Sequence, residues 1–239
     1  MNMEKLNGKV AFVTGGNKGI GLGVAEAMVE AGMFVCITGR NEADLRTAER
    51  KLNAIRENAA MGIVCDVRSL SGQQTAVQQV MDKWKQLDVV IANAGVGHFA
   101  DISHVTPEQW HETIDINLTG VFNTVKASLD PLKASKGYLI TIASLAGTNF
   151  FAAGAAYNAS KFGLVGFTQA VMLDVRKHGI KTTTIMPGSV STYFNDHTPN
   201  DSDYWKIQPE DMGQMVVDLL LMPHRTLPSK IEVRPTMPG

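Results

Sequence analysis

The sequence lacks several features that mark particular classes of protein. Only two cysteines, Cys36 and Cys65, occur among 239 residues, too few for a secreted scaffold held together by disulfides. Lys and Arg number 22 against 23 for Asp and Glu, so the formal net charge is -1. This balance gives no electrostatic reason to expect nucleic acid or an anionic membrane as the main partner.

Long apolar runs are also absent. No stretch of the sequence approaches the roughly 18 to 20 apolar residues that a membrane-spanning helix requires. Residues 1–9 carry charges and lack the apolar segment of a secretory signal. Cys36 and Cys65 each lie in a short apolar run, which is typical of a buried thiol. We therefore expect a cytoplasmic protein that binds neither membrane nor nucleic acid.

The sequence does contain a regular alternation of short apolar runs and longer amphipathic segments. The runs are apolar on both faces, as in a parallel sheet that helices cover on each side, and such alternation is typical of one open α/β domain. We predict a single domain over 1–239, with one doubly wound parallel sheet of the Rossmann type and helices on both faces. The predicted strands are 9–14, 33–38, 61–65, 88–92, 138–143, 180–186 and 230–234, and the predicted helices are 19–31, 42–57, 71–85, 107–133, 155–178 and 209–221.

One long irregular segment interrupts this alternation at about 190–208. It is rich in Asn, Asp, Pro and aromatic residues. A loop of that length inside a compact domain is more often a binding lid than a simple connection. We interpret it as a lid over a binding site, with a disordered segment as the alternative.

A glycine-rich turn, Thr14 to Gly21, follows the first predicted strand. Glycines at this point permit a tight turn and let the backbone approach a pyrophosphate closely. The N-terminus of the following helix then offers free N–H groups and the positive end of its dipole. The alternative is a glycine turn without a ligand. The predicted phosphate-binding residues are Gly15, Asn17, Lys18, Gly19, Ile20 and Gly21.

Polar and small residues also follow the later strands. Because the carboxyl ends of parallel strands meet at one edge of the sheet, where open α/β folds bind ligands, these residues are expected to gather there. The sequence therefore predicts one site at this edge. Its candidate residues are Asp66, Val67, Asn93, Ala94, Gly95, Ser144, Pro187 and Gly188.

The spacing of the glycine turn resembles the T-G-x-x-x-G-x-G fingerprint of the short-chain dehydrogenase/reductase family, and the resemblance covers nearly the whole chain. Asn93-Ala94-Gly95 resembles the family's N-A-G element, although Ala92 stands where Asn is commoner. The resemblance implies that Asp66 and Val67 contact the adenine of a nicotinamide coenzyme. It also implies that Pro187, Gly188, Val190 and Thr192 lie along the nicotinamide side.

Four polar residues match the family's catalytic set: Asn117, Ser144, Tyr157 and Lys161. Tyr157 and Lys161 are four residues apart on one face of a helix, and an ammonium one turn away favours the phenolate. We therefore expect Lys161 to lower the pKa of Tyr157. The resemblance implies that Tyr157 transfers a proton, Ser144 hydrogen-bonds the reacting oxygen, Lys161 binds the nicotinamide ribose, and Asn117 holds a water.

The end of the second strand indicates which coenzyme is bound. NAD-binding folds usually place an acidic residue there to hold the ribose hydroxyls, whereas this strand ends Thr38-Gly39-Arg40. A guanidinium suits a ribose 2′-phosphate, and Lys18 could add a second positive charge. Arg40 and Lys18 therefore favour NADP(H), a solvated loop position being the alternative for each.

The substrate is the weakest part of the sequence argument. A pocket with apolar walls suggests a small, moderately apolar carbonyl compound or its secondary alcohol. A 3-oxoacyl-carrier-protein reductase is the alternative within the family, although the glycine-rich segment before the last strand that is usual there is absent. A non-catalytic NADP(H)-binding sensor is the alternative of another class, and a nucleotide-sugar isomerase or lyase would need a longer C-terminal region. The proposed walls are His98, Phe99, Phe150, Phe151, Tyr193, Phe194 and Trp205.

The remaining expectations concern metals and subunits. His98, His104 and His111 do not form a metal-ligand pattern with nearby carboxylates, so no metal site is predicted. The helices after Pro107 and Ala155 carry apolar or small residues on more than one face, so one face could pack against a second subunit. The family resemblance likewise implies a homodimer or homotetramer.

Overall fold

The computed structural model describes residues 3–237 and confirms a seven-stranded sheet. Every strand pairs in parallel with its neighbours, in the order β3-β2-β1-β4-β5-β6-β7. The order reverses between β1 and β4, so the two halves of the sheet wind outward from that point. The strands are β1 Val10–Thr14, β2 Phe34–Gly39, β3 Ala60–Val64, β4 Val89–Ala92, β5 Tyr138–Ile142, β6 Lys181–Pro187 and β7 Lys230–Val233.

Helices cover both faces of the sheet, and alternate residues of each central strand point to opposite sides. The helices are α1 Gly19–Glu30, α2 Glu42–Ile55, α3 Leu70–Trp84, α4 Pro107–Ile114, α5 Gly120–Ser135, α6 Ala155–Val175 and α7 Pro209–Leu221. In β1, Val13 joins a core formed with α1, α2 and α7, whereas Phe12 joins a second core formed with α3, α5 and α6.

Two predictions about these elements are wrong in part. The helix expected over 107–133 is divided into α4 and α5 by a π-helical turn, Asp115–Thr119, because hydrophobic periodicity does not reveal one extra residue in a helical turn. The last strand, β7, is not apolar on both faces: Lys230 and Glu232 are exposed. As an edge strand it has no neighbour on one side, and its charges face solvent.

Candidate functional site

A cleft of about 1440 Å³ opens along the carboxyl edge of the sheet. The sheet order reverses at β1 and β4, where doubly wound folds leave a crevice for a ligand. Most of the candidate residues line this cleft, which brings together parts of the chain that are far apart in sequence. They are Gly15, Asn17, Lys18, Gly19, Ile20, Arg40, Asp66, Val67, Asn93, Ala94, Gly95, Ser144, Tyr157, Lys161, Pro187, Gly188, Val190 and Thr192.

The glycine turn has the conformation that a close backbone approach needs. Gly15 and Gly19 have φ values of +64° and +55°, a region that other residues rarely adopt. Lys18 precedes α1 without capping it through its side chain, which leaves the first N–H groups of the helix for a ligand. Gly21 does not line the cleft: a Cβ built there would lie 2.5 Å from Asn93 Nδ2, so this glycine lets the turn pack against the loop after β4.

Asn93 fastens the glycine turn to the middle of the sheet. Its Nδ2 donates hydrogen bonds of 3.0 Å to the carbonyl oxygens of Thr14 and Gly15. The Thr14 hydroxyl in turn accepts from the backbone N–H groups of Asn93 and Ala94, at 3.0 and 3.2 Å. The role of Asn93 is therefore to hold the shape of the glycine turn, because its side-chain amide already bonds backbone carbonyl groups.

At the end of β2, the Asn17 side chain packs against Gly39. A Cβ built at Gly39 would lie 2.9 Å from Asn17 Oδ1, so a side chain at position 39 would have to displace the Asn17 amide. Arg40 follows and remains 55% exposed; its nearest carboxylate is Glu112, with Arg40 Nη1 3.8 Å from Glu112 Oε1. Lys18 lies over the Tyr193 ring, 5.8 Å from its centroid.

Asp66 already has a strong ionic partner. Arg68 donates to both carboxylate oxygens, with Nε at 3.0 to 3.1 Å and Nη2 at 2.6 Å. This hydrogen bonding lowers the pKa of Asp66, with a smaller contribution from Arg40. Asp66 is therefore an acceptor that stays ionised at neutral pH, and Arg68 fixes its orientation.

Asn117 lies at the centre of the π-helical turn and is completely buried. Its Oδ1 accepts from the Val96 N–H at 2.8 Å, and its Nδ2 donates to the Val96 carbonyl at 2.8 Å and to Ser160 Oγ at 3.0 Å. It does not line the cleft. The side chain ties the loop after β4 to α6, beneath the catalytic candidates.

Lys161 is buried without a carboxylate partner. Its Nζ donates to the Ile142 carbonyl at 3.2 Å, and a Cβ built at Gly95 would lie 3.6 Å from that nitrogen. Burial lowers the pKa of Lys161 to about 8, since an apolar environment disfavours the ammonium. A lysine in this setting loses or gains its proton close to neutral pH.

The environment of Tyr157 contradicts one expectation. Lys161 Nζ lies 5.6 Å from the Tyr157 ring centroid, yet the pKa of Tyr157 is raised from the ordinary value of a phenol, because burial of the ring outweighs every other contribution. A hydrogen bond with the Ser144 side chain opposes the shift and is the second largest effect. The expected lowering by Lys161 is therefore wrong for this structure: desolvation dominates, and Lys161 itself is driven towards its neutral form by the same burial.

The segment 190–208, interpreted from the sequence as a lid, is fastened at its base. Val190 and Ile207 form an isolated parallel bridge, and the buried Asp203 accepts from Ser191 Oγ at 3.0 Å, His197 Nε2 at 2.6 Å and Lys206 Nζ at 2.5 Å. Two short 3-10 turns, Phe194–Asp196 and Asp201–Asp203, occur inside it. These contacts tie the start of the segment to its end.

Most of the predicted pocket walls do line the cleft. His98 is held by Glu112, with Nε2 2.8 Å from Oε2, rather than lying free in solvent. Phe99 does not line the cleft but packs against the Tyr157 ring, and Phe150 lines the rim with 85% of its surface exposed. The walls that line the cleft are His98, Phe150, Phe151, Tyr193, Phe194 and Trp205.

Comparison with known proteins identifies the family. The family model described as short chain dehydrogenase matches residues 9–203. The chain belongs to the short-chain dehydrogenase family.

Two solved structures and a curated relative resemble this family member over almost its whole length. An alcohol dehydrogenase of the archaeon Thermococcus sibiricus, complexed with 5-hydroxy-NADP, is 26% identical with a TM-score of 0.90, covering 97% of this chain and 99% of the other. A metagenomic short-chain oxidoreductase in complex with NADP is 31% identical with a TM-score of 0.85, covering 98% and 99%. A Streptomyces coelicolor protein provisionally named a ketoacyl reductase is 31% identical, covering 96% of this chain and 89% of the relative. The chain is thus an oxidoreductase of this family, with its Rossmann-type fold.

Sequence reasoning missed several residues that organise the site of this short-chain dehydrogenase. Ser160, buried beside Asn117, donates to the Tyr157 carbonyl at 2.8 Å. Asn158 Nδ2 donates to the carbonyls of Ala146 and Asn149 at 2.8 Å and so shapes the loop after β5. Both lie inside the Tyr-x-x-x-Lys segment, between Tyr157 and Lys161, so a polar residue at these positions of the helix was the available signal. Glu112, the partner of His98 and Arg40, gave no such signal.

Within residues 3–237 of this short-chain dehydrogenase, no helix is both long and apolar enough to cross a bilayer. Within the same residues, no group of three or more His, Cys, Asp or Glu side chains is placed to hold a metal ion. Cys36 and Cys65 are buried free thiols, as their apolar surroundings predict.

Proposed function

We propose that this chain is an NADP(H)-dependent oxidoreductase that transfers hydride between the nicotinamide and the carbonyl or secondary alcohol of a small, moderately apolar compound. The convergence of Ser144, Tyr157 and Lys161 on the cleft next to the glycine turn carries the proposal. A protein that only bound the coenzyme would have no need for the Ser144 and Tyr157 hydroxyls beside a buried lysine that lacks a carboxylate partner. Hydride transfer is the chemistry that the coenzyme supplies when bound.

The residues of the cleft fit NADP(H). The glycine turn and the uncapped start of α1 would hold the pyrophosphate, and Asp66 and Val67 would face the adenine. Arg40 would bind the 2′-phosphate, with Lys18 beside it, because Gly39 leaves no carboxylate to repel it. The NADP ligands of the Thermococcus and metagenomic proteins support this choice.

The proton chemistry follows from the state of Tyr157. A raised pKa keeps its phenol protonated at neutral pH, which is the form that donates a proton to the oxygen of a carbonyl under reduction. Ser144 would donate a hydrogen bond to the same oxygen and stabilise the charge that develops there. The reverse reaction, oxidation of an alcohol, would need the phenolate.

Lys161 and Asn117 would support the proton transfer by Tyr157. The Lys161 ammonium would bind the nicotinamide ribose hydroxyls and, with a pKa of about 8, exchange protons near neutral pH. Asn117 holds the Val96 backbone in place, and we propose that a water in this region connects Lys161 with solvent.

A panel of ketones and aldehydes with NADPH tests the proposal, with coenzyme oxidation followed by absorbance. We expect turnover of apolar carbonyl compounds, and a loss of about 10²- to 10⁴-fold in kcat for Tyr157→Phe, which removes only the hydroxyl. Full activity of Tyr157→Phe would refute the scheme. NADPH binding without turnover across a broad panel would instead favour the sensor alternative.

A second candidate substrate is a 3-oxoacyl thioester. The Streptomyces relative named as a ketoacyl reductase favours it. The same panel should therefore contain a 3-oxoacyl thioester, and a kcat/KM well above that of simple ketones would favour this alternative.

The subunit arrangement is also a proposal. Phe122 of α5 and Phe162 of α6 are each 43% exposed, and the Phe122 ring contacts Phe167 at 6.4 Å. Exposed aromatic residues on adjacent helices suit a buried interface, and we propose a homodimer or homotetramer built on these helices in a cytoplasmic protein. Light scattering that gave a monomer at micromolar concentration would contradict it.

A further inference from the structure

Three aromatic rings meet at the proposed proton donor. The ring centroids of Phe99 and Tyr157 are 5.3 Å apart, those of Phe194 and Tyr157 5.6 Å, and those of Phe99 and Phe194 6.1 Å. Each ring therefore contacts the other two, and we call Phe99, Tyr157 and Phe194 the aromatic collar. Phe99 lies in the loop after β4, Tyr157 in α6 and Phe194 in the lid, so only the tertiary structure assembles it.

Gly97 makes room for the collar. A Cβ built at this position would lie 2.5 Å from Cζ of Phe194 and 2.9 Å from Cε2 of Phe99, closer than real Cβ contacts allow. Both phenylalanines therefore pack directly against the backbone at Gly97. A residue with any side chain there would push the Phe194 ring away from Tyr157.

The lid brings Phe194 to this position from a fixed base. Ser191 donates to the buried Asp203, which anchors the start of the segment. Beyond Phe194 the chain turns sharply, because Asn195 and Asp196 both adopt left-handed backbone angles, with φ of 55° and 57°. Asn and Asp tolerate this region better than other side chains. The position of the Phe194 ring is thus built into the lid.

The collar determines what lies beside the reacting carbon. Tyr157 is 9% exposed, whereas Phe194 is 37% exposed and lines the cleft together with Phe151, whose ring contacts Phe99 at 5.8 Å. A carbonyl compound whose oxygen reaches the Tyr157 hydroxyl would place one substituent next to Phe194. Aromatic rings favour other rings in edge-to-face or offset contacts beyond the area they bury.

We propose that Phe194 is a specificity-determining residue that selects carbonyl compounds with a planar aromatic substituent on the carbonyl carbon. The inference rests on the proposed function and narrows its substrate class. Phe99 and Gly97 are positioning residues, since they act by setting the place of the Phe194 ring.

Kinetics with two ketones of similar shape test the proposal. Acetophenone carries a planar ring, and cyclohexyl methyl ketone is its saturated counterpart. The measured quantity is the ratio of their kcat/KM values with NADPH, and comparing that ratio between variants cancels the intrinsic reactivity of each ketone. Phe194→Leu keeps an apolar side chain but removes the ring, so we expect the ratio to fall by about 2- to 10-fold.

Two matched controls separate this effect from a general disturbance. Tyr204→Leu removes another aromatic residue of the lid, 86% exposed and outside the cleft, and should leave the ratio unchanged. Gly97→Ala should lower the ratio by displacing Phe194, whereas Gly166→Ala, where an added Cβ meets nothing within 4 Å, should not. Gly97→Ala thus tests the proposal even if Phe194→Leu folds poorly.

The outcomes distinguish this proposal from the proposed function. Turnover of both ketones with a ratio that Phe194→Leu and Gly97→Ala leave unchanged would overturn the role of Phe194 alone. Turnover of a 3-oxoacyl thioester but of neither ketone would also overturn it, while NADPH-dependent carbonyl reduction would stand. Only a lack of turnover across the whole carbonyl panel would remove the proposed function as well.

Discussion

Asn17 Oδ1 lies 2.9 Å from the point where a side chain at Gly39 would begin. A side chain at position 39 would therefore have to displace the Asn17 amide of the glycine turn. Arg40 is left without a carboxylate at position 39; Glu112 Oε1 lies 3.8 Å from its Nη1, and Asp66 is near enough for the two charges to interact. This relationship links the glycine turn to the choice between NADPH and NADH.

A carboxylate introduced at position 39 should reverse that choice. In Gly39→Asp the new carboxylate would pair with Arg40 and repel a 2′-phosphate. We expect KM for NADPH to rise by about 10- to 100-fold, which corresponds to the loss of one charge-assisted hydrogen bond to the coenzyme. KM for NADH should change far less. Initial rates with both coenzymes measure the effect.

Gly39→Ala is the matched control, because it adds the same Cβ next to Asn17 without the charge. A similar rise in KM for NADPH in Gly39→Ala would mean that the space taken by the Cβ, and not the charge, determines the coenzyme preference. Arg40→Asp should likewise raise KM for NADPH far more than KM for NADH. An unchanged coenzyme preference in Arg40→Asp would contradict the assignment of Arg40 to the 2′-phosphate site.

The raised pKa of Tyr157 predicts opposite pH profiles for the two directions of the reaction. Because burial raises the pKa of this phenol above its ordinary value, carbonyl reduction should keep its proton donor from neutral to mildly alkaline pH. Alcohol oxidation needs the phenolate and should rise steadily over the same range. Steady-state rates in both directions measure this.

Ser144→Ala gives the corresponding control. The Ser144 hydrogen bond opposes the shift, so its removal should raise the pKa of Tyr157 and move the oxidation profile to higher pH. An oxidation rate that stays flat from neutral to alkaline pH would show that Tyr157 does not supply the base.

Burial of Lys161 should make this residue costly for stability. Its pKa falls from 10.5 to about 8, which corresponds to up to about 3 kcal/mol of differential stabilisation. Between pH 8 and 10.5 the lysine is protonated in the unfolded chain but largely neutral in the folded protein. The destabilisation of the folded state is therefore fully present below pH 8 and disappears as pH rises through 10.5. Lys161→Met should therefore raise the free energy of unfolding at pH 7 while removing reductase activity.

Denaturant unfolding at pH 7 and pH 10 measures this difference, which should shrink at the higher pH. Lys177→Met, at an exposed lysine, is the control and should change stability little at either pH. A Lys161→Met protein that is less stable than the wild type at pH 7 would contradict the prediction.

Asp203 should hold the lid closed at its base. Asp203→Asn keeps the shape but weakens the charged hydrogen bonds from His197 and Lys206. We expect several-fold faster exchange of the Ser191 amide, which bonds the Ile207 carbonyl, and a higher KM for the carbonyl substrate with little change in KM for NADPH.

The stabilisation of the lid by Asp203 should depend on pH in a definite direction. Hydrogen bonding to His197 lowers the pKa of Asp203 below its usual range, so the stabilisation is present at neutral pH and is lost only as pH falls well below 4. The exchange rates of wild type and Asp203→Asn should therefore converge in acid. Equal rates at pH 7 would show that Asp203 does not fasten the lid.

The sequence alone determined the order of elements and most of the residues that line the cleft. This was possible because strand and helix periodicities are local, and because residues that follow parallel strands must meet at one edge of the sheet. The tertiary structure alone decided the π-helical turn that places Asn117, since a single extra residue leaves no periodic trace. It also decided the sign of the Tyr157 pKa shift, because desolvation depends on every group packed around the ring. Phe194 contacts Tyr157, and Asn17 contacts Gly39, although the two residues of each pair lie in different segments of the chain. A local sequence pattern does not show which separate segments meet in the folded protein.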